Sequence, residues 1–261
     1  MHADPELEGA LFQVASQFNL LEMTGPSVTP EDGVTRYSGD HTQGPACAIA
    51  AGAATIYRNY FALVDGEVGQ TQQRQINALA GVGKALSSKV GLPVSELWQM
   101  RNGYALCTAE GLDAITRLLR GAKDDLRDEL RAQLAIGLHR NVEVTDVRES
   151  ARRLVSQAFC SALPVAYGSG SPTAWEPFAR LVLEASYEAL LSAVEQSSAG
   201  GSKIVLLTRV GGGAFGNADK WIDDAIVRAL TIVGHAGLDV RLVSHGRIHD
   251  SNRAIAERFN G

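Results

Sequence analysis

Lys203-Ile-Val-Leu-Leu-Thr-Arg-Val-Gly-Gly-Gly-Ala-Phe-Gly-Asn217 is the stretch on which the fold turns. Its first half is an apolar run bounded by Gly200-Gly201 and Gly211 to Gly213, the pattern of a strand buried on both faces. Its second half opens with glycines that let backbone N–H groups approach a ligand closely. The helix expected over 219–234 adds its positive end, so the junction outlines an anion cradle. Phe215, between Ala214 and Gly216, is expected to be incompletely buried and able to cover a ribose or phosphate. A tight turn with Phe215 packed into the core is the alternative, and spacing alone does not separate the two.

Working outward, strands are expected at 11–19, 142–144, 158–165 and 238–244, with a strand or hairpin at 97–107. Helices are expected at 46–61, over the amphipathic segment 112–134, and from Thr173-Ala-Trp-Glu176, a capping-box pattern, to about Ser192. Strands alternating with helices predict an α/β sheet with helices on both faces. Residues 1–10 read as a flexible leader and 11–261 as a single domain.

Composition narrows the classes. The chain has 261 residues, 45% apolar and 20% charged, enough to bury a large core. Its net charge of −5 and lack of a Lys/Arg cluster exclude a general nucleic-acid binder. No apolar run is long enough to span a bilayer, and the acidic start is unlike a secretory signal. Cys47, Cys107 and Cys160 are few and widely spaced, as reduced thiols are. A cytoplasmic protein is expected, with neither membrane nor nucleic acid as partner.

A second candidate site is the long loop from Thr29 to Pro45, which carries Asp32 and Asp40 and ends at a helix N-terminus. Two carboxylates brought together can divide acid and base roles, because each perturbs the other's pKa. The plainer reading makes Asp32-Gly33 a turn and Asp40 a solvated or capping residue. In an open α/β sheet, loops after the C-terminal strand ends converge on the ligand. Strands 11–19 and 203–210 each end in one of these loops, and Val165 to Pro172 closes the same edge.

Thr208 to Asn217, followed by a helix and the strand Asp239-Val-Arg-Leu-Val-Ser244, resembles the second phosphate loop of macrodomains, closest to the poly(ADP-ribose) glycohydrolase branch. Pro30-Glu-Asp-Gly-Val-Thr35 with Asp40-His-Thr-Gln-Gly-Pro-Ala-Cys-Ala48 is similar to macrodomain-like ADP-ribosylhydrolases of the MavL type. The resemblance implies a macrodomain-like three-layer α/β/α sandwich with a mixed central sheet. It also implies removal of ADP-ribose from arginine on a modified protein, with ubiquitin a candidate. On that resemblance Asp32 and Asp40, eight residues apart, would correspond to the family's catalytic pair. ADP-ribose would be held by Asn19, Gly33, Val34, Thr35, Gln43, Gly44, Ala46 and Cys47 on one side. Gly211, Gly212, Gly213, Ala214, Phe215, Gly216 and Asn217 would hold it on the other. No metal or other cofactor is expected. Thr42-Gln-Gly-Pro-Ala46 stands where the chain-cutting branch carries Gln-Glu-Glu, which argues against cleavage of poly(ADP-ribose). The other reading within this resemblance is an ADP-ribose binder without turnover.

The remaining motifs carry less. His245 and His249 are read as surface histidines, although four-residue spacing on a helix can bind zinc. Ala78-Leu-Ala-Gly-Val-Gly-Lys-Ala85 lacks the first glycine and the final hydroxyl of a nucleotide-binding P-loop, so Gly81 and Gly83 are assigned to a loop or a close helix contact. Trp98, Tyr104 and Trp175 are assigned to the core.

Overall fold

The structure, a computed structural model, describes residues 1–146, 152–244 and 246–260. In chain order its elements are β1 (Leu11–Ser16), α1 (Gln43–Ala50), α2 (Gly52–Tyr60), β2 (Leu63–Val64), β3 (Glu67–Val68), α3 (Ala80–Val90), α4 (Val94–Leu97), β4 (Trp98–Arg101) and β5 (Tyr104–Cys107). There follow α5 (Ala109–Gly121), α6 (Asp124–Arg131), β6 (Gly137–Glu143), β7 (Leu154–Ser161), α7 (Pro172–Tyr187), α8 (Leu190–Ser198), β8 (Ile204–Leu207), α9 (Asp219–Val233), β9 (Asp239–Leu242) and α10 (Asp250–Phe259).

Five strands form a mixed central sheet in the order β6-β7-β1-β8-β9. The last four run parallel, and β6 is antiparallel at the edge. Alternation along β7 separates the helical layers. The Phe159 ring lies under the Arg58 guanidinium of α2, and Gln157 donates to the Cys47 carbonyl of α1. Cys160 points the other way, its thiol donating to the Ser186 carbonyl of α7. Helices therefore cover both faces, as in a three-layer α/β/α sandwich, and one core cluster runs from Leu7 to Ile255.

Several expected boundaries move, each for a local reason. β1 stops at Ser16 because Leu20 takes a left-handed φ of 63° and the Gln17 N–H turns back to the Leu21 carbonyl. The expected helix 46–61 is α1 and α2, interrupted at Ala51 (φ −120°, ψ 59°), where Gly52 N–H donates to Thr145 Oγ1. The segment 112–134 is α5 and α6, parted by extended Ala122 and Lys123. The Thr173 capping box does not form; Ser171 is the N-cap, Pro172 takes the favoured first position, and Glu176 pairs with Arg180. α3 and α10 were not anticipated. Gly81 and Gly83 lie inside α3, where a Cβ on Gly83 would come within 2.9 Å of the Trp98 ring, so close packing explains that glycine.

The expected flexible leader is packed. Leu7 and Ala10 are buried, the His2 ring stacks on Phe12 at 3.9 Å, and Glu8 accepts from the Leu154 N–H at 3.0 Å. The hairpin at 97–107 forms as β4 and β5. Its turn, Asn102-Gly103, has positive φ at both residues, the conformation that a two-residue hairpin loop favours. Among the described residues, no helix is long and apolar enough to cross a membrane.

Candidate functional site at the sheet switch point

The chain leaves β1 toward α1 on one face, and leaves β8 toward α9, which packs on α7 of the other face. This divergence defines a topological switch point, where open parallel sheets form a crevice. Among the described residues, β1 and β8 pair only at Leu11–Val205 and Phe12–Leu206. Past that point the Gln43 side chain takes the place of a neighbouring strand. Its Nε2 donates to the Gln13 carbonyl and its Oε1 accepts from the Ala15 N–H, both at 2.8 Å.

A cleft of about 360 Å³ opens there, within the size range of small-molecule sites. Its base is the end of β1 at Ala15 to Gln17, and one wall runs from Asp40 through Thr42 to Pro45. The opposite wall is Thr208 to Gly211 with Gly213, Ala214 and Phe215. Tyr104 and Tyr167 lie against Phe215, with ring centroids 5.3 and 5.9 Å from it and 5.2 Å from each other.

The glycine loop is held by its own ends. Gly211 and Gly216 take φ of 77° and 70°, and Asn217 donates through Nδ2 to the Leu163 carbonyl at 2.9 Å and to that of Gly211 at 3.2 Å. A Cβ on Gly211 would overlap Ala162, whereas one on Gly213 would meet open space. The N–H groups of Gly213, Ala214 and Phe215 have no hydrogen-bond partner among the described residues. Three unpaired donors on one side of a cleft are a physical basis for holding an anion.

On the opposite wall, Asp40 is half-buried. Its Oδ1 accepts from Thr42 N–H at 2.8 Å and Thr42 Oγ1 at 2.6 Å, which leaves Oδ2 free of protein partners among the described residues. Asp32 is not part of the cleft lining. Its carboxylate accepts from Thr29 N–H at 2.9 Å and pairs with Arg36 at 3.1 Å. The Thr29 N–H, then the Arg36 charge, hold it below the usual carboxylate range. The loop aspartates thus divide, one facing the cleft and the other closing a turn.

Of the other sequence-assigned positions, Gln43, Gly44, Gly211, Gly213, Ala214 and Phe215 line the cleft. Asn19, Gly33, Val34, Thr35, Ala46, Cys47, Gly212, Gly216 and Asn217 do not. Asn19 is fully buried, accepting from Leu21 N–H at 3.1 Å and donating to Gln75 at 2.9 Å, so it shapes the turn after β1. Burial pushes the Cys47 thiol up to about 12, which excludes a neutral-pH thiolate nucleophile. His249 borders the cleft, while His245 lies outside the described residues. Among the described residues no cluster of three metal-ligating side chains occurs.

The structure adds lining residues that sequence reasoning missed, Glu22, Arg209 and Tyr167; Tyr104 also borders the cleft but is buried, as expected of a core residue. Arg209 is engaged with Asp219 at 2.8 Å and with Asp223. Glu22 is buried, and burial pushes its carboxyl up to about 7 against the pull of Arg58. No protein-family model matches the chain, and neither does a curated protein or a solved structure.

Proposed function

We propose that the chain is a macrodomain-like ADP-ribosylhydrolase that releases ADP-ribose from a modified protein, with arginine as the linkage and ubiquitin a candidate carrier. The observation that carries the reading is the pairing of Asp40 with the unpaired N–H groups of Gly213 to Phe215 across one cleft at the switch point. A diphosphate matches the N–H cradle, and the rings of Tyr167 and Phe215 suit a flat, partly apolar nucleoside. A carboxylate would repel a diphosphate beside it, so its place is at the ribose end, across the cleft.

There the chemistry is displacement at an anomeric carbon. The C–N bond to the guanidine breaks, a C–O bond to water forms, and the water's proton leaves by way of a base to the departing nitrogen. Asp40, with one carboxylate oxygen free, would orient and deprotonate that water and offset positive charge developing at the sugar. Asp32 would act on loop shape. A reading as a binder without turnover draws on one observation, that Asp32 is tied to Thr29 and Arg36 outside the cleft.

Asp40→Ala separates the two. A hydrolase loses release of ADP-ribose by this change and keeps affinity for free ADP-ribose by calorimetric titration. Wild-type protein that binds ADP-ribose and releases none from any modified protein would establish the binder.

A further inference from the structure

α2 ends on a face that the fold leaves uncovered. Tyr57, Tyr60 and Phe61 share one side of the helix by their spacing, and all three are exposed, Phe61 by 58%. Directly after them β2 and β3 form a hairpin closed by Asp65-Gly66, both at positive φ. Leu63 and Val68 stand opposite each other in its register and are 68% and 62% exposed, while Val64, on the other face, is buried. The solvated face of an antiparallel pair is ordinarily polar, and this one carries an apolar pair. The hairpin is tied to the helix end. Gly69 N–H donates to the Ala62 carbonyl at 2.8 Å, and a Cβ on Gly69 would come within 2.8 Å of the Tyr60 carbonyl oxygen. Rings and hairpin therefore make one patch.

Position, size and charge together say what covers it. Tyr60 Oη accepts from Val34 N–H at 3.3 Å, and Val34 opens a 3₁₀ helix of 6 residues that runs to Asp40. At about 2 Å of rise per residue, Asp40 lies about 12 Å from that contact. A protein footprint of about 800 Å² has a radius of about 16 Å, so a carrier seated over the cleft reaches the patch. The five side chains expose roughly 400–500 Å². That is in the range of functional patches but short of the about 800 Å² that each copy of a stable dimer buries. The hairpin carries Asp65 and Glu67, and the loop beside Tyr60 carries Glu31 and Asp32. Arg36 pairs with Asp32 and Arg74 with Glu67, which leaves Glu31 and Asp65 without a cation among the described residues. Such an acidic rim suits a basic partner and repels an anionic lipid surface.

We propose that this patch docks the carrier protein: the surface around its modified arginine, apolar with a basic flank, packs on Tyr57, Phe61, Leu63 and Val68 while the ADP-ribose enters the cleft. The proposal rests on the hydrolase reading and extends it to how the protein part of the substrate is chosen. Affinity for the substrate then comes from two separate surfaces, the cleft for ADP-ribose and the patch for its carrier.

The test compares wild type, the double variant Phe61→Ser with Leu63→Ser, Leu63→Arg, and, as control, Leu191→Ser at an exposed apolar residue of α8. It reads kcat and KM on arginine-ADP-ribosylated ubiquitin and on ADP-ribosyl-arginine, and the mass of each protein by sedimentation. On the ubiquitin substrate the double variant should raise KM about tenfold with kcat within about twofold. Leu63→Arg, which sets a cation against a basic partner, should raise KM at least as much, and Leu191→Ser should leave it unchanged. On ADP-ribosyl-arginine, and in affinity for free ADP-ribose, all four proteins should agree within about twofold. A wild-type KM on the ubiquitin substrate in the double variant overturns the proposal, as does an equal loss on both substrates. A wild-type dimer that the double variant dissociates also overturns it, because a second copy then covers the patch. If wild type releases no ADP-ribose from either substrate, the hydrolase reading fails separately, and calorimetry decides. Modified ubiquitin bound about tenfold more tightly than ADP-ribose, with the gain lost in the double variant, supports the docking surface, and equal affinities overturn it.

Discussion

Gly211 and Gly213, two residues apart in one loop, should respond to substitution in opposite ways. Gly211 has a left-handed φ of 77°, and a methyl there overlaps Ala162. The backbone penalty is about 1–2 kcal/mol and overpacking adds about 1–3 kcal/mol, so Gly211→Ala should destabilise the fold by roughly 2–5 kcal/mol. At about 2–4 °C per kcal/mol for a chain of this size, Tm should fall by roughly 4–20 °C. Gly213 has no heavy atom within 4 Å of an added Cβ and sits on the cleft wall. Gly213→Val should therefore change stability by about 0.5 kcal/mol or less, as surface substitutions do. Its branched carbons would crowd the unpaired N–H groups. Loss of one hydrogen bond to a charged phosphate costs about 1.5–3 kcal/mol, so ADP-ribose affinity should drop about tenfold to a hundredfold. Thermal melting and calorimetric titration on the two variants measure both numbers. Gly213→Val with wild-type affinity would refute the cradle, and a Tm loss in it equal to that of Gly211→Ala would refute the assignment of an open wall.

Two further outcomes follow from the same geometry. Asp32→Asn should keep turnover within about threefold of wild type, whereas Asp40→Asn should lower it by about a hundredfold or more, read as initial rates of ADP-ribose release; equal losses would return Asp32 to the reaction. His2 is pushed down to about 4 by burial, so it is neutral in the fold, and the stability it brings is full above about 6.5 and lost as pH falls toward 4. That slope is worth at most about 3 kcal/mol. His2→Phe, which keeps an aromatic ring against Phe12, should flatten it in chemical denaturation at pH 5 and pH 7.5, and an unchanged difference between the two would show that His2 is not buried in solution.

What was legible in the sequence follows from how local each cause is. The strand ending at Leu207 was readable because a strand covered on both faces is apolar throughout, and the glycines after it mark the loop whatever the rest of the chain does. Asp32 and Asp40 looked equivalent, since only the Thr29 N–H and the Arg36 guanidinium, as folded, turn Asp32 away. Glu22 carries no local signal that sets it apart from other polar residues. Its burial depends on Arg58, 36 positions along the chain, and on α1 packing over it. Tyr104 is buried, as its assignment to the core expects, whereas Tyr167 carries no sequence signal, because aromatic type does not say which ring borders a cleft. α3 was hidden by Gly81 and Gly83, which disfavour a helix locally but are required by its contacts with Gln133 and Trp98. The two-helix form of 46–61 depends on Thr145, far along the chain, meeting Gly52.

The most direct test of the account is release of free ADP-ribose from arginine-modified ubiquitin, run beside a glutamate-modified protein and poly(ADP-ribose). The account predicts release from the arginine-linked substrate alone and its abolition in Asp40→Ala. Release that survives Asp40→Ala, or none from any of the three substrates, would contradict it.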